Sequence, residues 1–121
     1  MRLTKLHPFG LVMHGNGDLL DAASLGDPAQ MVAEHRLLLL RGFRGCSAQE
    51  FAAWARNWGE LMEWKYGHLL DLRVSDNPAG TFAEGNGSVP LHWDGALLGL
   101  CPRLQILQCL QSNAPDVSDR C

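Results

Sequence analysis

His92 and Asp94 stand two apart in the segment Pro90-Leu91-His92-Trp93-Asp94-Gly95 of the 121-residue chain. In an extended backbone, residues i and i+2 share a face. The imidazole and the carboxylate then converge while Trp93 points the other way. A ring nitrogen and a carboxylate oxygen on one side make two-thirds of a 2-His-1-carboxylate triad. That arrangement suits non-heme Fe(II), because coordination positions stay open for cosubstrate and oxygen. Gly95 relieves crowding beside the pair. The Gly-rich stretch Glu84-Gly85-Asn86-Gly87-Ser88 just before it reads as a flexible loop able to act as a lid. The same spacing also serves a plain surface pairing of His92 with Asp94, and spacing alone leaves both readings open.

The remaining titratable and aromatic residues give weaker signals. His7 beside Pro8, His14 beside Gly15 and His35 beside Arg36 read as loop, strand-end and helix-end residues. A cationic His35 suits a helix C-terminus. His68 follows Gly67 before an apolar stretch and could approach the site. Trp64 and Tyr66 lie on an extended segment where they could line a pocket or simply pack. Arg73 and Arg103 sit on predicted strands, where each could meet a carboxylate or remain solvated. The cysteines Cys46, Cys101, Cys109 and Cys121 form no C-x-x-C pair, and Cys46 and Cys109 read as small buried or loop residues. The expectation is a reduced, cytoplasmic protein.

The elements that must position these residues follow from local pattern. Gly10 to Gly15 reads as a short strand. Asp27-Pro28 opens a helix through His35, with Asp27 as cap and Pro28 in the first turn. Leu37 to Leu40 is a buried strand ended by Arg41-Gly42-Phe43. Ser47 with Glu50 forms a capping box for a helix that carries Phe51, Trp54, Ala55 and Trp58 and stops at Gly59. Leu69 to Val74 and Leu104 to Leu110 are expected strands. Asp76 to Gly80 is expected to be a loop, Val89 to Gly95 short and extended, and Gln111 to Cys121 a polar tail. Helices come early and strands dominate afterwards, which points to a mixed α+β fold with helices on one side of a sheet.

Composition narrows the function classes. Ten Lys and Arg against 13 Asp and Glu give a formal charge of 10 − 13 = −3, without the basic footprint of a nucleic-acid binder. Apolar residues at 46% and charged residues at 19% speak for a globular chain and against a charged disordered tail. The longest purely apolar run, Leu37 to Leu40, is too short to span a membrane. No apolar stretch of the kind a secretory signal carries follows Met1-Arg2-Leu3-Thr4-Lys5.

Longer blocks carry a family resemblance. Gly87 to Gly95, then Cys101 to Leu110 and Ala114-Pro115, resemble the first metal-ligand strand and the following strand of TauD/TfdA-type dioxygenases. His35 to Phe43 resembles the family's early strand. Ser47 to Gly59 resembles the helix after it, and Gly59 to Trp64 that helix's exit. Leu61 to Leu72 and the His-Trp-Asp-Gly form are most similar to the PvcB-like branch, associated with isonitrile and related amino-acid-derived secondary metabolites. The resemblance spans roughly residues 10 to 115.

This resemblance implies an Fe(II)- and 2-oxoglutarate-dependent oxygenase acting on a small amino-acid-derived metabolite. Iron is expected on His92 and Asp94. 2-Oxoglutarate and dioxygen are consumed, succinate and carbon dioxide leave, and a hydrogen atom is taken from the substrate. The region around Tyr66 and His68 is expected on the substrate side. The fold implied is a double-stranded β-helix of the jelly-roll or cupin kind, with the N-terminal helices packed on its sheet. The family also places a later His as third ligand, a later Arg on the distal carboxylate of 2-oxoglutarate, and a Gly-Gly-x-Thr segment after the Ala-Pro. Here the Ala-Pro is followed by Asp116 to Cys121. Residues 1–121 are therefore expected to form one partial domain with an atypical tail at 116–121, inactive alone. A non-catalytic remnant, or a module that binds a divalent metal or a partner, is the alternative. The substrate's identity and the oligomeric state are not written in these residues.

Overall fold

The computed structural model describes residues 2–18, 25–65, 67–73, 88, 90–96 and 99–111. The chain divides into two compact units, one made of residues 1–47 with 106–121, the other of residues 48–105.

The first unit is built on a three-stranded sheet in the order β1-β2-β3, with β1 at Arg2–Lys5, β2 at Leu11–His14 and β3 at Leu38–Arg41. β1 and β2 pair antiparallel, Lys5 opposite Leu11 and Arg2 opposite His14. β2 and β3 pair parallel, Leu11 opposite Leu38 and His14 opposite Arg41. Parallel neighbours need a crossover. Helix α1, Pro28–His35, supplies it. As the central strand, β2 buries Leu11, Val12 and Met13, and Met13 together with Leu25 is the most deeply enclosed side chain of the core. A central strand covered on both faces reads as a continuous apolar run rather than an alternating one.

α1 begins as its sequence dictates. The Asp27 carboxylate accepts from the Gln30 backbone N–H at 3.0 Å, and Pro28 occupies the first turn. The helix ends at Arg36, whose left-handed backbone (φ 71°) lets its N–H bond the Val32 carbonyl at 2.7 Å. Beyond the strands, the ladder continues through Gly15 N–H to Arg41 O and Gly17 N–H to Gly42 O, both 2.7 Å. Phe43 packs over this extension. A Cβ on Gly15 would lie 2.7 Å from the Phe43 ring, so only glycine fits there. The Cys46 thiol donates to the Gln108 amide oxygen at 2.9 Å, and the Gln108 amide nitrogen donates to the Cys46 carbonyl at 2.9 Å.

The second unit contains α2, Ala48–Ala55, prolonged by a 3-10 turn at Arg56–Trp58. Ala52 and Ala55 face its interior. Phe51 stacks on Trp54 (6.3 Å between ring centres), and Trp54 packs against Trp58 (4.4 Å), as their helical spacing requires. The Asn57 amide donates to the carbonyls of Ala53 and Trp54, satisfying groups left open at the helix end. Gly59 terminates the run.

Several expectations change. β1 is an additional strand, where the sequence shows only a charged N-terminus. Among the described residues, the three strands all precede residue 42. Leu69–Arg73 and Leu104–Leu110 are not strands. Between Pro102 and Gln108 burial still alternates residue by residue, the even positions half-buried and the odd ones exposed. That is the period of an extended chain. An extended segment becomes a strand only when a neighbour takes up its backbone groups, and among the described residues none pairs with these. Cys109 is exposed and Cys46 half-buried, within the buried-or-loop expectation. Val74, the loop at 76–80, Glu84 to Gly87, Val89 and the tail from residue 112 lie outside the described residues. Among those described, no helix is long and apolar enough to cross a membrane.

Candidate functional site

The segment carrying His92 and Asp94 is not a strand, yet the two side chains meet. His92 Nε2 lies 3.5 Å from Asp94 Oδ1, with the side chains 53% and 41% exposed. On the far side of the ring, Nδ1 is 2.8 Å from the Pro90 carbonyl oxygen. A carbonyl can only accept, so Nδ1 carries the hydrogen and donates it. In the neutral ring the Nε2 lone pair then faces the Asp94 oxygen. A cation placed between two such acceptors, a proton on Nε2 or a metal ion, would bridge them. The ring is held as metal-ligating histidines usually are, with the non-ligating N–H given to a backbone carbonyl. A 3.5 Å span is also short enough for one divalent ion to reach both atoms at ordinary bonds of about 2.0–2.2 Å.

Asp94 is oriented from the other side. The Gln105 amide nitrogen donates to Asp94 Oδ2, which leaves Oδ1 for His92. The chain brings Gln105 there by reversing directly after Asp94. Gly95 is buried with φ +92°, and Leu100 N–H returns to the Gly95 carbonyl at 3.4 Å. A Cβ at Gly95 would stand 2.5 Å from the Leu100 carbonyl oxygen and 3.1 Å from Met62 Cε. Positive φ and lack of space together demand glycine. Trp93 is exposed rather than packed behind the pair, and Leu91 is fully exposed.

Met62 and Leu100 also border an open groove of about 870 Å³, lined in addition by Arg56, Glu60, Glu63 and His68. His68 Nδ1 is 3.2 Å from the Met62 carbonyl. By the same reasoning its N–H points inward to the backbone. A tight turn sets this up, with Trp64 and Gly67 exchanging two backbone hydrogen bonds of 2.9 Å each. Tyr66 lies outside the described residues.

The other candidates fall elsewhere. His14 ends β2, where Nε2 is 3.0 Å from Thr4 Oγ1 across the sheet. His35 is in the last turn of α1 and His7 is exposed. Arg73 does meet a carboxylate, that of Asp71 at 2.7 Å. The hydrogen bond and then the charge of Asp71 raise the already high pKa of this exposed guanidinium. Arg103 is exposed. Among the described residues no third His, Cys, Asp or Glu gathers with His92 and Asp94. Sequence reasoning passed over Gln105, Met62, Leu100 and Arg56 as site residues. Only Gln105 left a trace, as a polar side chain between Leu104 and Ile106.

A small α+β framework carrying a His-x-Asp pair beside a groove is what a metal-dependent oxygenase would present. Comparison with known proteins gives the family directly. Residues 3–116 match the family described as taurine catabolism dioxygenase TauD, TfdA family, and the chain belongs to it. It is 39% identical over 109 residues to the 3-((Z)-2-isocyanoethenyl)-1H-indole synthase of Fischerella ambigua, an alignment covering 88% of this chain and 40% of that protein. It is 35% identical over 116 residues to the tyrosine isonitrile desaturase of Pseudomonas aeruginosa, covering 92% of this chain and 38% of the relative. The isonitrile, PvcB-like branch expected from the motif blocks is the one these relatives represent. The chain spans about two-fifths of the length of these two relatives.

Proposed function

We propose that this chain carries the first two metal ligands of an Fe(II)- and 2-oxoglutarate-dependent oxygenase that oxidises an isonitrile derived from an aromatic amino acid. The observation that carries the proposal is the facing of His92 Nε2 and Asp94 Oδ1 at 3.5 Å, in a chain of the TauD, TfdA family. The substrate class rests on the activities for which the relatives are named, an indole isonitrile synthase and a tyrosine isonitrile desaturase. Desaturation of the amino-acid side chain is the reaction these names favour.

Bound iron with 2-oxoglutarate would supply the oxidising power to remove hydrogen from the substrate. His92 offers the Nε2 lone pair while Pro90 holds its other nitrogen protonated. Asp94 offers one carboxylate oxygen and balances one positive charge. His68, and Tyr66 beside it, would line the substrate side, with His68 Nε2 as hydrogen-bond partner to a polar substrate atom. Met62 and Leu100 give the groove apolar wall close to the metal pair. On this reading the sheet belongs to a double-stranded β-helix whose remaining strands, third ligand and 2-oxoglutarate-binding Arg come with the rest of a family domain. The 121 residues alone would bind metal without turning over cosubstrate. A reduced cytoplasmic setting agrees with Cys46 acting as a thiol donor.

Anaerobic titration with Fe(II) and 2-oxoglutarate tests the proposal. The expected result is metal binding that His92→Ala and Asp94→Ala each weaken by at least about 100-fold, the upper range for losing even an outer-shell partner. Unchanged Fe(II) affinity in either variant would reduce the motif to an ion pair. Metal binding that depends on both residues, without oxygen-dependent loss of 2-oxoglutarate in a chain that carries the rest of a family domain, would favour a simple metal-binding module.

A further inference from the structure

We infer that Gln105 is a positioning residue for the metal pair, fixing Asp94 so that a single carboxylate oxygen is presented beside His92. The inference rests on the metal reading of His92 and Asp94 proposed above.

Asp94 has two oxygens with different partners. Oδ2 takes the Gln105 amide hydrogen, and Oδ1 faces His92 Nε2. An ionised carboxylate can only accept, so the amide nitrogen of Gln105, not its oxygen, must be the group turned toward it. With Oδ2 held by the Gln105 amide, rotation of the carboxylate about its last bond is opposed and Oδ1 stays turned toward His92. The site becomes symmetrical in logic: Pro90 orients the histidine from behind, and Gln105 orients the aspartate from behind. Outer partners of this kind typically tune metal affinity by 10–100-fold. The ten residues between Asp94 and Gln105 explain why the partner is not local. The Gly95–Leu100 reversal is what returns the chain, so the tight glycine turn and the Gln105 contact serve one purpose.

The test uses Co(II) as an oxidation-resistant stand-in for Fe(II), followed by its visible absorption. Gln105→Met keeps the length of the side chain and removes the donor. Gln105→Ala removes it with less bulk and carries the test if the first variant does not fold. Gln108→Met, whose side chain bonds Cys46 instead, controls for loss of a nearby glutamine. Both Gln105 variants are expected to bind Co(II) about tenfold more weakly, with a reshaped visible band and an unchanged circular dichroism spectrum, while Gln108→Met matches the parent. Co(II) affinity within about twofold of the parent and an identical band in a folded Gln105 variant would overturn the inference, since outer-shell partners act by tenfold or more. If His92→Ala still abolishes binding in that case, the metal reading survives and only the role of Gln105 falls. If His92→Ala binds Co(II) like the parent, both fall together.

Discussion

The β2–β3 region and the His92–Gln105 region are held in place by different means. β2 and β3 are locked by a ladder of backbone bonds that runs on through Gly15 and Gly17, with Met13 sealed beneath it. Among its described residues, the His92–Gln105 region has no ladder. Its geometry hangs on one glycine turn, a carbonyl behind His92 and an amide behind Asp94. A ladder distributes its hold over many equivalent bonds, so no single one decides the register. A site built from singular contacts loses its shape when one of them goes. Stability and chemistry are thus lodged in different parts of the chain, as expected where rigid elements carry loop-borne functional groups.

Substitutions can break that contrast. The largest effect is expected in the sheet. Met13 is 1% exposed, and Met13→Ala should cost about 3 kcal/mol in urea unfolding through lost burial and the cavity left behind. A loss below about 1 kcal/mol would mean that this core collapses around the gap. Next comes Gly95→Ala, which places a Cβ 2.5 Å from the Leu100 oxygen at φ +92°. Its strain, of order 1–3 kcal/mol, should fall on the turn and weaken Co(II) binding while leaving hydrogen-exchange protection of β2 unchanged. Loss of protection in β2 would show that the two regions are not separable. The smallest effect belongs to the ion pair of Arg73 with Asp71, whose side chains are 80% and 57% exposed. Arg73→Ala should leave Tm unchanged in thermal melts, because exposed pairs contribute little. A clear drop would assign this segment a packing role that its exposure denies.

Legibility followed the range of the forces involved. The α1 start was readable because Asp27-Pro28 acts within one turn, and the Gly59 stop and the Phe51, Trp54, Trp58 stripe are equally local. The β2 and β3 segments were readable as apolar runs, whereas β1 was not. Arg2 to Lys5 is exposed along its whole length and owes its strand state to pairing with β2, not to its own pattern. Leu104 to Leu110 erred in the opposite direction, with strand composition and alternating burial but no partner among the described residues. The His92 and Asp94 meeting was anticipated from a two-residue period, and the side chains do face each other, although no strand carries them. Gln105 was invisible as a site residue because ten residues of intervening chain decide where it lies.

What the sequence determined by itself was therefore local or inherited: helix caps, apolar strands, a His-x-Asp pair and motif blocks sufficient for the family. The tertiary structure alone decided which nitrogen of His92 is free, which oxygen of Asp94 is offered, and that Met62 and Leu100 join the turn after Asp94 to the groove of His68. The physical reason is that caps and periodicity act over a few residues through the backbone. The tautomer of a histidine and the rotamer of a carboxylate are set by whichever carbonyl or amide the folded chain brings alongside, and no spacing in the sequence encodes that.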